Sequence, residues 1–223
     1  MVLFACGSKK GNEKFLRDFY QLPDEAIQVI EWTYTTRHAN ASTLPDSLTS
    51  DNREFKFNDN HLVKIIAFDS LFQVRSNTDI IYSGDSLLIT EHQRDADFVI
   101  DITQRENDVV FTKTDQRGHS LIETVTMKYD STMSRVVRKV FTNGEGMMTK
   151  EEIYSYNEKS SLLHIQERTP AGLPIEKEAS LNKHNEWDLM QVSKGDVPMR
   201  LIARRNIYRD KDMVTMEYKK NSF

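Results

Sequence analysis

The two-residue alternation of apolar and polar side chains that begins near Glu54 is the feature that most constrains the fold of this chain. Phe55 and Phe57 alternate with polar neighbours, and similar runs recur about every ten residues, separated by turn residues such as Asp59-Asn60. Because successive side chains of a strand point to opposite faces, each run predicts a strand with one packed and one wet face. We therefore predict a mainly β protein, an extended antiparallel β-meander of hairpin repeats that forms a curved sheet or half-barrel.

The second half of the chain repeats itself with a period of about 25–28 residues. Each unit has an alternating strand, a turn, an apolar strand and a second turn, which predicts one β-hairpin per unit. The units are residues 121–146, 149–172, 175–195 and 201–220. The Tyr129-Asp130 pair recurs as Tyr156-Asn157 and, in degenerate form, as Lys183-His184 and then Tyr208-Arg209-Asp210. Asn143-Gly144 supplies residues that tolerate the positive φ angles of a two-residue turn.

These units resemble the tyrosine-aspartate (YD) repeats of the RHS family and the related hairpin repeats of Bacteroidetes lipoproteins, over roughly residues 113–220. The chain departs from the YD pattern, because Ser-Thr-Met-Ser-Arg follows Asp130 where the family has Gly-Arg. The resemblance implies a long curved sheet or half-barrel rather than an enzyme.

Cys6, the single cysteine, lies in Leu3-Phe4-Ala5-Cys6-Gly7-Ser8, which resembles the lipobox of bacterial lipoproteins. The resemblance implies a lipid on Cys6 and, because Gly7 follows rather than Asp, an outer-membrane lipoprotein that faces the periplasm. Residues 1–5 are too short for a signal peptide. Two explanations remain open: the true start lies upstream, or the protein is cytosolic and these residues are an ordinary apolar beginning. The segment Lys9–Lys14 has the polar composition of a flexible tether.

We expect three regions: a lipobox and tether (1–12), a helical segment and linker (13–53), and one antiparallel β-repeat domain (54–223). The best helical candidate is 13–37, with a fresh helix start at Pro23. The β-branched and aromatic residues at the end of this run leave a strand from about 27 to 36 as a competing prediction. The polar, proline-containing residues 38–53 predict a linker.

The composition narrows the class of protein. The 30 basic and 34 acidic residues are interleaved and give a net charge of -4, so no basic stripe is available for nucleic acid. No apolar run approaches the roughly 20 residues that span a bilayer. The absence of cysteine after Cys6 excludes disulfides and thiolate metal sites within one chain.

The sequence offers no catalytic, cofactor or metal site. The six histidines lack the spacing of a local metal pair, and no nucleophile elbow, phosphate loop or EF-hand loop is present. Cross-strand pairing with lysines on the wet face accounts for Glu151, Glu152, Glu176 and Glu178. Five aromatic residues are expected in the core rather than in a ligand groove: Trp32, Phe111, Phe141, Tyr154 and Trp187.

The motif Asp46-Ser47-Leu48 resembles the O-glycosylation motif of Bacteroidetes envelope proteins, which makes Ser47 a candidate for modification. Similar triplets begin at Asp69, Asp85 and Asp130, and ordinary turn chemistry also explains them.

We therefore expect a lipid-anchored protein of the cell envelope with a non-catalytic binding or structural role. Its partners would be the membrane, through the lipid on Cys6, and an envelope protein or glycan. One alternative is a periplasmic carrier that holds an acyl chain or a lipoprotein in the half-barrel. Another is a cytosolic, antitoxin-like β-repeat interaction protein. A hydrolase would need convergent polar residues in a pocket, which the sequence does not reveal.

Overall fold

The computed structural model describes residues 9–35, 47–49, 51–83, 86–91, 96–116, 120–157, 161–184, 186–195 and 197–208. One helix and fifteen strands lie in these ranges. They are α1 (Lys9–Tyr20), β1 (Ala26–Thr35), β2 (Ser47–Leu48), β3 (Asn52–Asn58), β4 (His61–Phe68), β5 (Val74–Ser83), β6 (Ser86–Glu91), β7 (Ala96–Arg105), β8 (Asp108–Asp115), β9 (Leu121–Tyr129), β10 (Val136–Asn143), β11 (Met148–Asn157), β12 (Leu162–Arg168), β13 (Ile175–Leu181), β14 (Trp187–Lys194) and β15 (Val197–Tyr208). In this part of the chain, no helix is long and apolar enough to cross a membrane.

The sheet closes on itself. Each strand from β3 to β14 pairs antiparallel with the next one in the chain, and β1 pairs with β3. β1 also pairs with β15, from Ala26↔Tyr208 to Thr35↔Arg200. Within the described ranges, β1 and β3 to β15 therefore form a barrel of fourteen strands, with β2 added beside β1. The prediction of an antiparallel meander is confirmed. The prediction of an open sheet or half-barrel is wrong, because β1 joins the two edges.

The hairpins follow the sequence pattern closely. The four repeat units correspond to the hairpins β9–β10, β11–β12 and β13–β14 and to the closing strand β15. Asp59 and Asn60, the predicted turn between β3 and β4, have φ angles of 47° and 69°. Two successive positive φ angles are those of a type I′ turn, whose twist matches that of the flanking strands.

The turn between β10 and β11 differs from the predicted two-residue turn. Four residues, 144–147, separate the strands, and the positive φ angle of 81° falls on Gly146. Asn143 closes this turn by accepting hydrogen bonds from the backbone N–H groups of Glu145 and Met147. Gly144 is needed for another reason, because a Cβ atom there would lie 2.2 Å from the carbonyl oxygen of Leu121.

Alternation sorts the side chains between the lumen and the outer surface. The inward positions are mostly apolar and buried, among them Phe55, Leu87, Val109, Met127 and Ile165. The outward positions carry ion pairs between neighbouring strands: Lys64–Asp79, Arg138–Glu151 and His164–Glu176. The packed face of the predicted sheet is therefore the inside of the barrel. The outside carries these ion pairs together with exposed apolar side chains such as Ile81 and Leu189.

The lumen contains α1. Aromatic rings of the helix touch strands on different sides of the barrel, with centroids 5.1–6.0 Å apart: Phe15 and Tyr129 of β9, Phe19 and Phe111 of β8, and Tyr20 and Phe55 of β3. The barrel encloses most of the helix, and among the described side chains of the helix only Lys14 is exposed. Accordingly, Asn12, Glu13 and Arg17 are as buried as the apolar Leu16.

The helix ends in a Schellman arrangement. Gln21 has a φ of 55°, its N–H bonds to the carbonyl of Asp18, and the N–H of Leu22 bonds to the carbonyl of Arg17. The chain then turns through Pro23 into β1, so the strand that competed with a helix over 27–36 is the correct alternative. The segment Lys9–Lys14, predicted as a tether, is part of α1. Residues 13–53, expected outside the β domain, include strands of the same barrel.

Closure of the barrel predicts that β1 and β15 can be cross-linked. Ile30 and Arg205 are directly paired, and both point outward because their neighbours Glu31 and Arg204 are buried. Directly opposed antiparallel residues lie about 4.5–5.5 Å apart, within disulfide range. In a Cys6→Ala background, we expect Ile30→Cys with Arg205→Cys to form an intramolecular disulfide on mild oxidation, detected by intact mass and thiol titration.

The matched control combines Ile30→Cys with Gln191→Cys, which faces outward on β14 and is not paired with β1. This control should stay reduced. An open sheet would be indicated if neither pair oxidised, since β1 and β15 would then be separate edges.

Candidate functional site

The barrel has two distinct ends. At the plug end, which contains the turns Asp59-Asn60 and Glu106-Asn107, the first half of α1 enters the lumen. At the opposite end, here called the mouth, lie the turns between β4 and β5 and between β12 and β13. The helix rises from the plug end, and its last residues pack against Phe55 and Phe111 in the middle of the barrel.

Glu13 fixes the helix at the plug end. Its carboxylate accepts hydrogen bonds from Arg17 Nε (2.8 Å), the N–H of Leu62 (3.2 Å) and the hydroxyl of Tyr82 (2.6 Å). Arg17 in turn donates to the backbone oxygens of Pro23, Ala26 and Asn60. Burial and the bond to Glu13 raise the pKa of Tyr82 well above its usual value, so its hydroxyl stays a donor.

The recurrent tyrosine position has a structural meaning. Tyr129 is buried, and its hydroxyl donates to the Asp18 carboxylate of α1 at 2.7 Å. Tyr156, the equivalent residue of the next unit, packs against the core and donates to the carbonyl of Val136. Burial raises the pKa of Tyr129, and the negative charge of Asp18 contributes a smaller increase. The first two units thus supply lumen-facing phenols, whereas Tyr208 of the fourth unit is exposed.

Two buried cations meet the C-terminal end of the helix. Lys139 Nζ donates to the carbonyls of Phe19 (2.6 Å) and Asp18 (3.3 Å). Arg204 donates to the carbonyls of Gln21 (2.5 Å) and Tyr20 (3.4 Å). The last four carbonyls of a helix lack partners within it and carry partial negative charge. In α1 the Schellman bonds and these cations satisfy all four, which explains why two charged residues lie inside the barrel.

Carboxylates neutralise the two buried cations, Lys139 and Arg204. Glu31 accepts hydrogen bonds from Arg204 and, at 2.7 Å, from Arg53. Burial alone would raise the pKa of Glu31, but the two guanidinium groups outweigh it and lower the pKa. Glu152 is paired in the register with Lys139. Burial opposes ionisation of Glu152, yet Lys139 and neighbouring lysines lower its pKa to about 2.

The assignment of Glu152 to the wet face is wrong. Its carboxylate lies in the lumen, 3.1 Å from Lys150 Nζ and 3.5 Å from Lys177 Nζ, and it accepts a hydrogen bond from Tyr154. The reason is the register, which places Glu152 opposite the inward-pointing Lys139. Glu151 does lie outside, where Arg138 pairs with it. Glu176 likewise pairs with His164 on the outer surface.

A cavity of about 530 Å³ opens at the mouth and is the candidate functional site. Ligand pockets commonly have volumes of about 300–1,000 Å³. The cavity lies among β1, β3, β4, β5, β6 and β15. Nine of its eleven lining residues have polar or charged side chains. The lining consists of Thr33, Asp51, Asn52, Arg53, Ala67, Arg75, Ser76, Thr78, Glu91, Arg200 and Ile202.

Hydrogen bonds hold the strand residues beneath this cavity in place. Asn52 is buried; its side-chain oxygen accepts from the N–H of Thr33, and its amide donates to the carbonyls of Thr49 and Asp69. Arg200 donates to Asp51 at 3.0 Å across the mouth. Arg53 stacks on the ring of Phe55, 5.4 Å from its centroid, and Phe55 also contacts Tyr20 of the helix. The end of the helix is thus coupled to the cavity through packed side chains.

The residues singled out in the sequence are dispersed. Cys6 lies outside the described residues. Ser47 forms part of β2, opposite Thr35, rather than lying in a linker. The predicted core positions of Phe111, Tyr154 and Trp187 are confirmed, Phe141 packs against the same core, and Trp32 faces outward. Among the residues that the structure describes, no group of three or more metal-ligating side chains occurs.

Sequence reasoning missed the mouth cavity because its arginines come from distant strands. Arg53, Arg75 and Arg200 belong to β3, β5 and β15, and only closure of the barrel brings the last of them to the first two. One signal was available, since Arg53 lies two positions from the apolar Phe55 and therefore shares its face of the strand.

Lys139 should give the protein a measurable pH dependence. Burial lowers the pKa of Lys139 to about 8 from the ordinary 10.5, against the opposing effect of Glu152. Between these values the unfolded chain binds more protons than the folded one, so the free energy of unfolding should rise with pH. We expect the urea midpoint to increase from pH 8 to pH 9, and Lys139→Met to remove most of this increase.

Lys128→Met, which replaces an exposed lysine on the outer face of β9, is the control and should keep the increase. The range stops at pH 9 because tyrosines of the unfolded chain, with an ordinary pKa of about 10, lose protons above it, whereas the buried tyrosines, whose pKa values are raised, keep theirs and lower the stability as the pH rises. A Lys139→Met variant with an unchanged pH profile would contradict the assignment.

Comparison with known proteins gives no family. No protein family model matches the chain, and no curated protein matches it. Two solved structures match the chain, both of them porin-like proteins. The one from Bacteroides uniformis has a TM-score of 0.46 and 8% identity and covers 81% of this chain and 97% of its own. The one from Bacteroides vulgatus has a TM-score of 0.42 and 9% identity, with coverages of 82% and 98%.

Proposed function

We propose that this chain is a non-catalytic binding protein of the cell envelope, anchored by a lipid on Cys6, that holds a small polar ligand in the mouth cavity. The observation that carries the proposal is the cavity of about 530 Å³ in a barrel that α1 fills below it. Interior space lined by polar groups favours a ligand that forms hydrogen bonds, because burying such groups without partners costs free energy.

The architecture supports a preformed site. The strands that line the cavity belong to one closed, hydrogen-bonded sheet, and Glu31 links the lining residue Arg53 to Arg204, which binds the end of the helix. A binding site on strands that are fixed by packing loses little conformational entropy when a ligand binds. The helix therefore acts as the support beneath the site.

Because α1 fills the lumen below the cavity, the barrel is not suited to carry an acyl chain. That role needs a continuous apolar groove, whereas Phe15, Leu16 and Phe19 of α1 occupy the apolar part of the lumen. The space left at the mouth is lined mainly by charged and hydroxyl-bearing side chains, which suit a polar ligand better than a hydrocarbon.

The position of the helix supports an anchor at the plug end. Only two residues separate Cys6 from Lys9, the first residue of α1, so their Cα atoms lie within about 11 Å of each other. The first half of α1 contacts Met133 and His61, which lie at or beside turns of the plug end. A lipid on Cys6 would therefore hold the plug end against the membrane and leave the mouth open to water.

Ion pairs on the outer surface favour a barrel that lies beside the membrane. A barrel embedded in lipid presents an apolar outer band, and charges there are destabilising. Here the ion pairs Lys64–Asp79 and Arg138–Glu151 lie on the outside. This surface supports attachment through the lipid of Cys6 rather than through the strands.

The anchor is tested by acylation and by orientation. When the gene is expressed with an added lipoprotein signal sequence, we expect palmitate labelling that Cys6→Ala abolishes. In vesicles, a dye on Lys183→Cys, in the plug-end turn, should be quenched by headgroup-labelled lipid, and a dye on Ala171→Cys, at the mouth, should not. Labelling that survives Cys6→Ala would contradict the anchor, and equal quenching would contradict the orientation.

The binding role is tested by filling the cavity. We expect the Cys6→Ala protein to retain polar small molecules from a bacterial extract, detected as adducts by native mass spectrometry. Ala67→Trp, which places a large ring in the cavity, should abolish them. Ala203→Trp, a matched change that points outward beside Trp32, should not. Identical adducts in both variants would place binding elsewhere.

A further inference from the structure

We infer that the ligand of the mouth cavity is an amphiphile: its polar group enters the cavity, and an apolar group attached to it lies on the edge of the mouth, against Phe72. The inference rests on the proposed binding function and specifies its ligand. Five exposed apolar residues beside the cavity are here called the apolar rim: Leu71, Phe72 and Val74 of the β4–β5 hairpin, and Val197 and Met199 of the β14–β15 hairpin.

Exposed apolar side chains are concentrated at the mouth. Among the described residues, thirteen large apolar side chains are exposed, and ten of them lie in or near turns at this end; the others are Ile81, Leu189 and Tyr208. The described turns between strands at the plug end are polar, apart from Met133, which packs against the core. Turn composition alone therefore does not explain the apolar rim. A concentration of exposed apolar side chains in one place marks a site of interaction.

The apolar rim is continuous with the cavity on two sides. β4 and β5 both line the cavity, and the turn that joins them carries Phe72. Phe72 is three residues from the lining residue Arg75, so their Cα atoms lie within about 11 Å of each other. β15 lines the cavity through Arg200, which directly follows Met199 of the rim. A ligand that occupies the cavity therefore needs only a short apolar group to reach the rim.

Phe72 has a backbone conformation that a bulky residue rarely adopts. Its φ angle is 61°, in the left-handed region that favours glycine. The β10–β11 turn has the same pattern of hydrogen bonds, with Asn143 in the place of Asp69, and its left-handed residue is Gly146. The side chain of Phe72 is 60% exposed, so packing within the chain does not offset this strain. Strain of this kind is concentrated at functional sites, which supports a contact between the ring and a ligand.

The surroundings of the rim favour an amphiphile as its occupant. In the proposed orientation the plug end faces the membrane, so the apolar rim faces water. The cavity is lined mainly by polar side chains, which select a polar group, and α1 fills the lumen below it. An apolar group on the same ligand therefore extends outward and lies on the rim rather than inside the barrel. Each methylene group that the rim removes from water adds to the affinity.

Pairs of compounds that share a polar group and differ in chain length test the inference. The pairs are octyl glucoside with methyl glucoside, and N-octanoylglycine with N-acetylglycine. In at least one pair, we expect the Cys6→Ala protein to bind the long-chain compound at least about tenfold more tightly, a gain that about two buried methylene groups provide. Calorimetric titrations measure the affinities below the concentrations at which micelles form.

Variants locate the apolar group of the ligand. Phe72→Asn removes the ring and introduces a residue that tolerates the left-handed conformation, so the fold should persist. This variant should bind the long-chain compound about fivefold or more weakly and the short-chain compound as before. Ile81→Asn, at a similarly exposed position of β5 away from the mouth, is the matched control and should change neither affinity. Urea unfolding curves confirm that each variant is folded.

The outcomes separate the two proposals. If neither pair shows a preference for the long chain, or if Phe72→Asn keeps the full preference, the inference is overturned, and the extract experiment decides the proposed function separately. If Ala67→Trp leaves binding of the long-chain compound unchanged, the chain binds without the cavity, and the inference is likewise overturned.

Other occupants of the apolar rim would give different results. We expect the Cys6→Ala protein to be monomeric in analytical ultracentrifugation and to remain unbound when phosphatidylcholine vesicles are floated. A dimer that Phe72→Asn dissociates would show that the rim joins two copies of the chain. Flotation that Phe72→Asn abolishes would show that the rim binds a membrane surface. Either result would overturn the inference.

Discussion

The structure depends on satisfying the buried C-terminal end of α1. A helix that stops in the middle of a lumen leaves carbonyls away from water, and each unpaired group would cost free energy. Lys139 and Arg204 supply the donors, and these cations then require Glu152 and Glu31 beside them. One structural need thus places two cations and the carboxylates that neutralise them in the middle of the lumen.

The size of the barrel explains why the helix is there. Barrels of about eight strands are just wide enough for side chains to fill them, and wider barrels enclose open space. Fourteen strands leave a lumen that inward-pointing side chains cannot fill alone, and α1 occupies it with Phe15, Leu16 and Phe19. The helix has 12 residues and begins at one end, so it fills that end and the middle. The mouth cavity is the part of the lumen beyond its last turn.

The sequence predicts the local elements well because their causes are local. Alternation and turn residues define the strands from β3 onward, and Asp59-Asn60 forms the expected turn. Closure of the barrel is not a local property, because β1 and β15 are separated by most of the chain. Neither strand has a sequence feature that marks it as the partner of the other. The helix was recognised through its apolar face, but its buried polar face was not, because Glu13 and Arg17 look like solvent-exposed residues until a barrel surrounds them.

Composition alone does not determine which face of a strand a charged residue occupies. Glu151 and Glu152 are adjacent and chemically alike, yet the first pairs with Arg138 outside and the second with lysines inside. Counting in twos from a buried apolar neighbour resolves the ambiguity, as Glu152 lies two positions from Tyr154. The same count places Arg200 two positions from Ile202 and four from Arg204, on the lumen side. Arginines that point into the lumen beyond the last turn of α1 are therefore the sequence signal for the cavity. They can be identified once the strand register is known.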